Sequence, residues 1–207
     1  MNTVALSVLD LVPVNSRNDP AEALRFTTEL ARCAEQWGYR RFWVAEHHNM
    51  PAIASSAPAV LIAHLAAATS TIRVGSGGVM LPNRPHAMVA VNVICADTDE
   101  DARYLAAPGW LSFLRLRAGR PTTMPTPDEA AEHRFTPDEA AFLEERLAGQ
   151  VLGSPSTVRS RLTDLLRRTG ADELMVTSQV YDIADRLRCY ELLAQLSLDP
   201  KAGSIAV

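Results

Sequence analysis

The stretch TIRVGSGGVMLPNRPHAMVAVNVICA, Thr71–Ala96, contains two apolar runs, Ile72–Leu81 and Val91–Ala96, joined only by Pro82–Ala90. Runs of this composition read as strands buried on both faces, the kind that parallel sheets contain. A parallel neighbour needs a crossover of about a dozen residues or more, usually carrying a helix. Pro82–Ala90 is too short for that. Unless the two runs pair antiparallel, their neighbours come from elsewhere in the chain, and a unit that ordinary α/β alternation would place here is missing. Three glycines, Gly75, Gly77 and Gly78, interrupt the first run and mark a bulge or a close approach to the backbone. No helix opens on them, so they are not a dinucleotide fingerprint.

On both sides of this stretch the chain alternates strands with helices. Val4–Leu11 reads as a buried strand that stops at Pro13. Asp19 then caps a helix, with Pro20 in its first position, Glu22 completing a capping box and Gly38 ending it. Arg41–Glu46 is a second strand that ends in Glu46-His47-His48. A second helix starts near Ser55 or Ser56 with Pro58 in its first turn; Ala59–Ala68 is apolar nearly all round and is expected to be well buried. His64 within it reads as a hydrogen-bonded core residue and not a ligand. Downstream, a helix runs from about Thr98 to Leu105, followed by a broken segment to Pro125. Two copies of TPDEAA, at Thr126 and Thr136, are capped helix starts and not a repeat architecture. Val151-Leu152 is a stub of strand, Ser154-Pro155 opens a helix that closes at Gly170, Glu173–Ser178 is the last strand and Ile183–Leu196 the last helix.

Composition narrows the function classes. At 207 residues and 47% hydrophobic, the chain can bury one substantial core, and a net charge of −4 gives no reason to expect nucleic acid or an anionic membrane as partner. No apolar run is long enough to span a bilayer and no secretory leader is evident, so the expected location is the cytoplasm. Cys33, Cys95 and Cys189 are odd in number and far apart, which predicts small buried hydrophobes and neither a disulfide framework nor a metal site.

LSVLDLVPV at residues 6–14, GYRRFWVAEHHNMPAIASSAP at 38–58, TSTIRVGSGGVMLPNRP at 69–85, VNVICADTDEDA at 91–102, GSPSTVRSRL at 153–162 and TGADELMVTS at 169–178 together resemble the bacterial luciferase-like family of flavin-dependent monooxygenases. The resemblance covers nearly the whole chain. It implies a fold derived from the (β/α)₈ TIM barrel, whose active site lies at the C-terminal ends of the strands. Set against the family, this chain lacks the middle, which implies an internal deletion near residues 85–91 and one domain, 1–207, with an incomplete α/β barrel of about six strands.

The resemblance also assigns roles. Glu46, His47 and His48 would stand at the catalytic rim, with His47 as the base and His48 orienting it or bonding the backbone; imidazole as a type exchanges protons readily at neutral pH. Ser76, Gly77 and Gly78 would border the ring of FMN, which in reduced form reacts with oxygen to oxygenate an aldehyde, a sulfonate or another small substrate, with a flavin reductase as electron source. The family's grip on the flavin phosphate lies mainly in the missing segment. Three readings therefore stay open: a working monooxygenase, a flavin-binding protein without turnover, and a shortened barrel kept as a structural module without flavin. Arg186 and Arg188 read as solvated charges. An incomplete barrel leaves open sheet edges and an apolar interior, which predicts a homodimer or larger homo-oligomer in which a second protomer covers the gap, with strand exchange around Pro82–Ala90.

Overall fold

The computed structural model describes residues 4–77 and 88–198. Six strands, β1 (Ala5–Asp10), β2 (Arg41–Val44), β3 (Arg73–Ser76), β4 (Met88–Cys95), β5 (Gln150–Gly153) and β6 (Glu173–Thr177), form one wholly parallel sheet. Their order is β3-β2-β1-β6-β4-β5. The two strands joined by the short connection, β3 and β4, are thus held apart by β2, β1 and β6. Strands β3 and β5 are the edges, and among the described residues no strand closes the sheet. The expected incomplete barrel of six strands is what the chain builds.

The helices are α1 (Pro20–Gln36), α2 (Pro58–Ala68), α3 (Asp99–Arg117), α4 (Pro127–Glu132), α5 (Pro137–Leu147), α6 (Pro155–Thr169) and α7 (Ile183–Ala194). Strand order decides where they lie. The connections β1–α1–β2, β2–α2–β3 and β5–α6–β6 all move one way along the sheet, whereas the connection from β4 to β5 moves the other way. Crossovers between parallel strands are right-handed almost without exception, so the reversed one must lay its helices on the opposite face. Side-chain packing agrees. Val93 and Val151 pack into the main core with Val158 and Leu162 of α6 and Leu193 of α7. Ile94 and Leu152, each one residue on, pack instead with Ala102, Leu105, Ala106 and Trp110 of α3.

Local chemistry sets the helix ends. Glu22 N–H donates to Asp19 Oδ1 at 2.7 Å and the Glu22 carboxylate accepts Asp19 N–H at 3.0 Å, the capping box that the sequence implied. Helices α4 and α5 start on the same device at Thr126 and Thr136. At the far end of α1, Glu35 Oε1 accepts the N–H groups of Thr71 (2.5 Å), Ile72 (2.9 Å) and Ser70 (2.8 Å), tying the helix to the chain entering β3. Those bonds hold the Glu35 carboxyl down at about 2. A depressed carboxyl stabilises the fold above its ordinary range, and that contribution fades as pH falls from 4.5 to about 2. Glu35→Gln should therefore lower the urea midpoint slightly at pH 6 and flatten its decline across that acid window. Equal slopes for parent and variant would show that the exposed carboxylate does not clamp β3.

Three expectations need correction. Helix α3 does not stop at Leu105 but continues through Pro108 to Arg117. A mid-helix proline costs about 3 kcal/mol; burial of Ala102, Ala106, Leu111 and Leu114 along one side of α3 offsets it. Helix α2 is not well buried: only Leu61 and Leu65 are, Val60 is 71% exposed, and His64 is an exposed residue whose ring bonds Thr28 Oγ1 at 3.1 Å. The cause is position, because α2 packs beside β3, which is an edge strand among the described residues. Arg186 is not solvated but 2% exposed, since α7 lies over β1 and Asp10, the last residue of that strand, faces it at 2.5 Å. Arg188 is exposed as expected and bonds Asp97 and Glu191. Cys95 and Cys189 are buried, Cys33 is half-buried, and none is paired. Among the described residues no group of side chains could hold a metal ion, and no helix is long and apolar enough to cross a membrane.

Candidate functional site

Strand register places Ser7, Leu9, Arg41, Trp43, Gly75, Thr177 and Asn92 on the face turned away from α1, α2, α6 and α7. In a closed barrel this face would be the interior. At its N-terminal end, buried Glu173 accepts from Ser7 Oγ and pairs with Arg41. That ion pair ties β6, β1 and β2 together below the region where a ligand would sit.

At the C-terminal rim the loops after β1 and β2 are bonded into one unit. Val14 N–H donates to Ala52 O at 2.8 Å, Ala54 N–H to Val12 O at 2.9 Å, and Pro13 bridges Ile53. Val12 has φ +53°, a left-handed backbone that a β-branched residue adopts only under constraint. Its constraint is Asp10, whose Oδ1 accepts Val12 N–H at 3.0 Å. The chain leaving β2 is fixed likewise: Ala45 N–H donates to Asp10 O at 3.0 Å, Ser55 Oγ donates to Ala45 O, and His47 N–H donates to Ser55 O at 2.9 Å.

This framework separates the three residues of the Glu-His-His motif. His47 is half-buried, and its Nδ1 is enclosed with no hydrogen-bond partner among the described residues. Glu46 and His48 are exposed and bond each other at 3.0 Å. His48 thus bonds Glu46 and not His47, and an exposed pair of this kind contributes at most about 1 kcal/mol.

Gly75 in β3 and Gly77 just after it have a specific reason. A methyl group on Gly75 would sit 2.8 Å from Trp43 Cζ3, and one on Gly77 would sit 2.5 Å from Leu9 Cδ1 and 3.3 Å from Trp43 Cβ. What approaches this backbone is the chain's own Trp43 and Leu9. Ser76 is in register with Val44, whose side chain is in the helix-covered core, so a ligand on the open face would meet the Ser76 backbone and not its hydroxyl. Gly78 lies outside the described residues. Three enclosed polar atoms on or beside this face, Trp43 Nε1, His47 Nδ1 and Thr177 Oγ1, have no partner among the described residues. Such a donor set fits the polar edge of a flavin ring. It does not fit a phosphate, for which the described rim offers Arg17, already 3.7 Å from Asp182.

Sequence reading missed the Asp10–Arg186 pair and the strained Val12. The available signal was Asp10 itself, a carboxylate closing an apolar strand, which demands a partner.

An open parallel α/β sheet with its loops knitted together at the C-terminal ends of the strands is consistent with a truncated TIM barrel. Residues 4–90 match the family model described as luciferase-like monooxygenase. A luciferase-like monooxygenase of Escherichia coli K12 is 26% identical over 321 aligned positions, covering 92% of this chain and 96% of the relative. Because the chain has 207 residues, part of the relative has no counterpart here. The N-acetyl-S-alkylcysteine monooxygenase of Bacillus subtilis is 53% identical over 78 residues, 38% of this chain and 23% of that one. The crystal structure of apo-MsnO8 superposes with a TM-score of 0.79 at 26% identity, over 96% of this chain and 100% of that one. The oxygenating constituent of 3,6-diketocamphane monooxygenase from Pseudomonas putida, in complex with FMN, gives 0.62 at 14% identity over 96% and 99%, a likeness of fold alone. The chain is thus similar to luciferase-like monooxygenases, most clearly over residues 4–90.

Proposed function

We propose that the protein is an FMN-dependent monooxygenase in which reduced flavin and oxygen act on a small organic substrate, with His47 as the proton-handling residue. The observation that carries this reading is the half-buried His47 ring, its Nδ1 unpartnered and its backbone bonded to Ser55 at the rim where such barrels do their chemistry. The FMN bound to the Pseudomonas putida neighbour supports the choice of flavin. Reduced flavin, when bound, supplies the activation of oxygen. The chain's own residues do the rest. Trp43 and Leu9 form an apolar floor that excludes water, the backbone of Ser76 and Gly77 borders the ring, and His47 takes or returns a proton at Nδ1. Gly78, assigned to the same border, lies outside the described residues. Electrons come from a flavin reductase, and the proposed setting is the cytoplasm.

A second reading, flavin binding without turnover, is favoured by the open sheet and the missing middle segment, which leave little to grip a phosphate. Titration with FMN and with riboflavin, followed by visible absorbance and fluorescence anisotropy, separates these readings from the flavin-free one. Saturable binding with little preference for FMN over riboflavin is expected. Absence of binding by either would end both flavin readings and leave the structural module.

The proposed assembly is a homo-oligomer. Helix α2 (PAVLIAHLAAA) is almost wholly apolar, yet its outer side is exposed around Val60. Unpartnered apolar surface of this kind marks an association face. Light scattering at micromolar concentration should return at least twice the chain mass, and Val60→Lys should reduce it to the chain mass without lowering the melting temperature. A parent that scatters as a monomer would remove α2 as an interface. The strand exchange expected around Pro82–Ala90 falls mainly outside the described residues.

A further inference from the structure

Helices α3 and α6 lie on opposite faces of the sheet and meet at the end of its edge strand β5. Asp99, the first residue of α3, joins them: its Oδ1 accepts Ser154 N–H at 2.6 Å and its Oδ2 accepts the Thr157 hydroxyl at 3.2 Å. These bonds hold the Asp99 carboxyl below its ordinary range, Ser154 N–H contributing most and the charge of Arg103 least. One turn further along each helix, four residues on, stand Arg103 of α3 and Arg161 of α6. Both line a cavity of about 250 Å³ between the two helices and β5. Among the described residues neither guanidinium has a hydrogen-bond or ion-pair partner. By contrast, Arg115, Arg168 and Arg188 on the same helices and on α7 each engage a carboxylate.

The rest of the wall is apolar, supplied by Trp110, Leu147 and Leu152. Trp110 Nε1 donates to Gln150 Oε1 at 3.0 Å, and Gln150 Nε2 donates to Asn92 Oδ1 at 2.7 Å, so the indole offers its ring to the cavity and no donor. Two arginines against one aspartate leave the lining net positive. A single exposed arginine is ordinarily solvated. Two that converge on one apolar wall without a counter-ion repel each other, and an anion between them removes that cost.

We propose that this cavity binds a small aromatic anion, its flat ring lying against Trp110, Leu147 and Leu152 and its carboxylate or phosphate held between Arg103 and Arg161. The planar guanidinium matches both groups bidentately, and the indole face favours an aromatic body over a bare inorganic ion. No residue of the Glu-His-His motif lines the cavity, and β4 and β6 separate β5 from β1. The proposal therefore does not depend on flavin binding at the rim.

The test titrates 2-naphthoate and 2-naphthyl phosphate into the full chain by calorimetry, with the Trp110 indole resonance followed by NMR. Naphthalene-2-carboxamide serves as the neutral counterpart and inorganic phosphate as the anion without a ring. At least one naphthyl anion should saturate a single site and shift that resonance, the tighter of the two identifying the anionic group. The carboxamide and inorganic phosphate should each bind more weakly by roughly tenfold or more. Arg103→Gln and Arg161→Gln should each weaken the naphthyl anion roughly tenfold with an unchanged melting temperature, because both side chains are exposed. Failure of both naphthyl anions to saturate, equal binding of the carboxamide or of inorganic phosphate, or unchanged affinity in either arginine variant would overturn the proposal.

Discussion

Arg186→Met is expected to cost about 3–5 kcal/mol of stability, as removal of one partner from a buried ion pair does. Arg186 Nη2 lies 2.5 Å from Asp10 Oδ1, and its Nε donates to Ser178 O at 3.0 Å. Asp10 is fully buried and otherwise receives only neutral donors, Thr27 Oγ1 at 2.6 Å and Val12 N–H at 3.0 Å. Methionine would fill much of the space beside Phe26 but leave a carboxylate without its cation. The charge and not the lost packing is the main cause, so Asp10→Asn added to Arg186→Met should recover part of the loss. Urea unfolding of the parent, the single variant and the double variant measures both effects. An Arg186→Met protein within about 1 kcal/mol of the parent would mean that water reaches Asp10. The consequence reaches the rim, because Asp10 holds Val12, and Val12 O holds Ala54 in the loop that carries His47. Loosening of that loop should appear as faster proteolysis between residues 45 and 57.

The contrast between Asp10 and Asp19 shows what a sequence of this kind reveals. Asp19 acts on residues three positions away, so its capping box is readable from spacing alone, as are those at Thr126 and Thr136. The mismatch at Pro82–Ala90 is readable because chain length limits reach. Arg186 acts across 176 positions, and its burial follows only once α7 is known to lie over β1. The face chosen by α3 is hidden for the same reason: it depends on β5 lying beyond β4, and strand order is a property of the whole sheet. Helix α2 misled because an apolar helix looks buried whether its cover comes from its own chain or from another. At the rim, His47 was visible as a motif, but its separation from His48 depends on Ser55 and Asp10, which carry no motif.

That separation leads to the sharpest functional expectation. In the parent supplied with FMN, a flavin reductase, oxygen and a medium-chain aldehyde, His47→Ala should lower the oxygenation rate by roughly 10²–10⁴-fold, the usual worth of a positioned acid or base. The loop should survive the change, because His47 is anchored through its backbone N–H to Ser55 O and Ser55 through its hydroxyl to Ala45 O, neither of which involves the imidazole. Melting temperature and flavin affinity should therefore stay near the parent values, which distinguishes loss of a proton carrier from loss of structure. His48→Ala provides the internal comparison. Its ring is exposed and bonds only to the exposed Glu46 among the described residues, so its removal should change the rate by less than about threefold. Added imidazole should restore part of the rate in His47→Ala, since the space left by the side chain lies at the half-buried rim where a small base can enter. Equal rates for His47→Ala and the parent would take His47 out of the mechanism; equal losses in both histidine variants would instead make the motif a single structural cap, with the chemistry residing elsewhere on the open face.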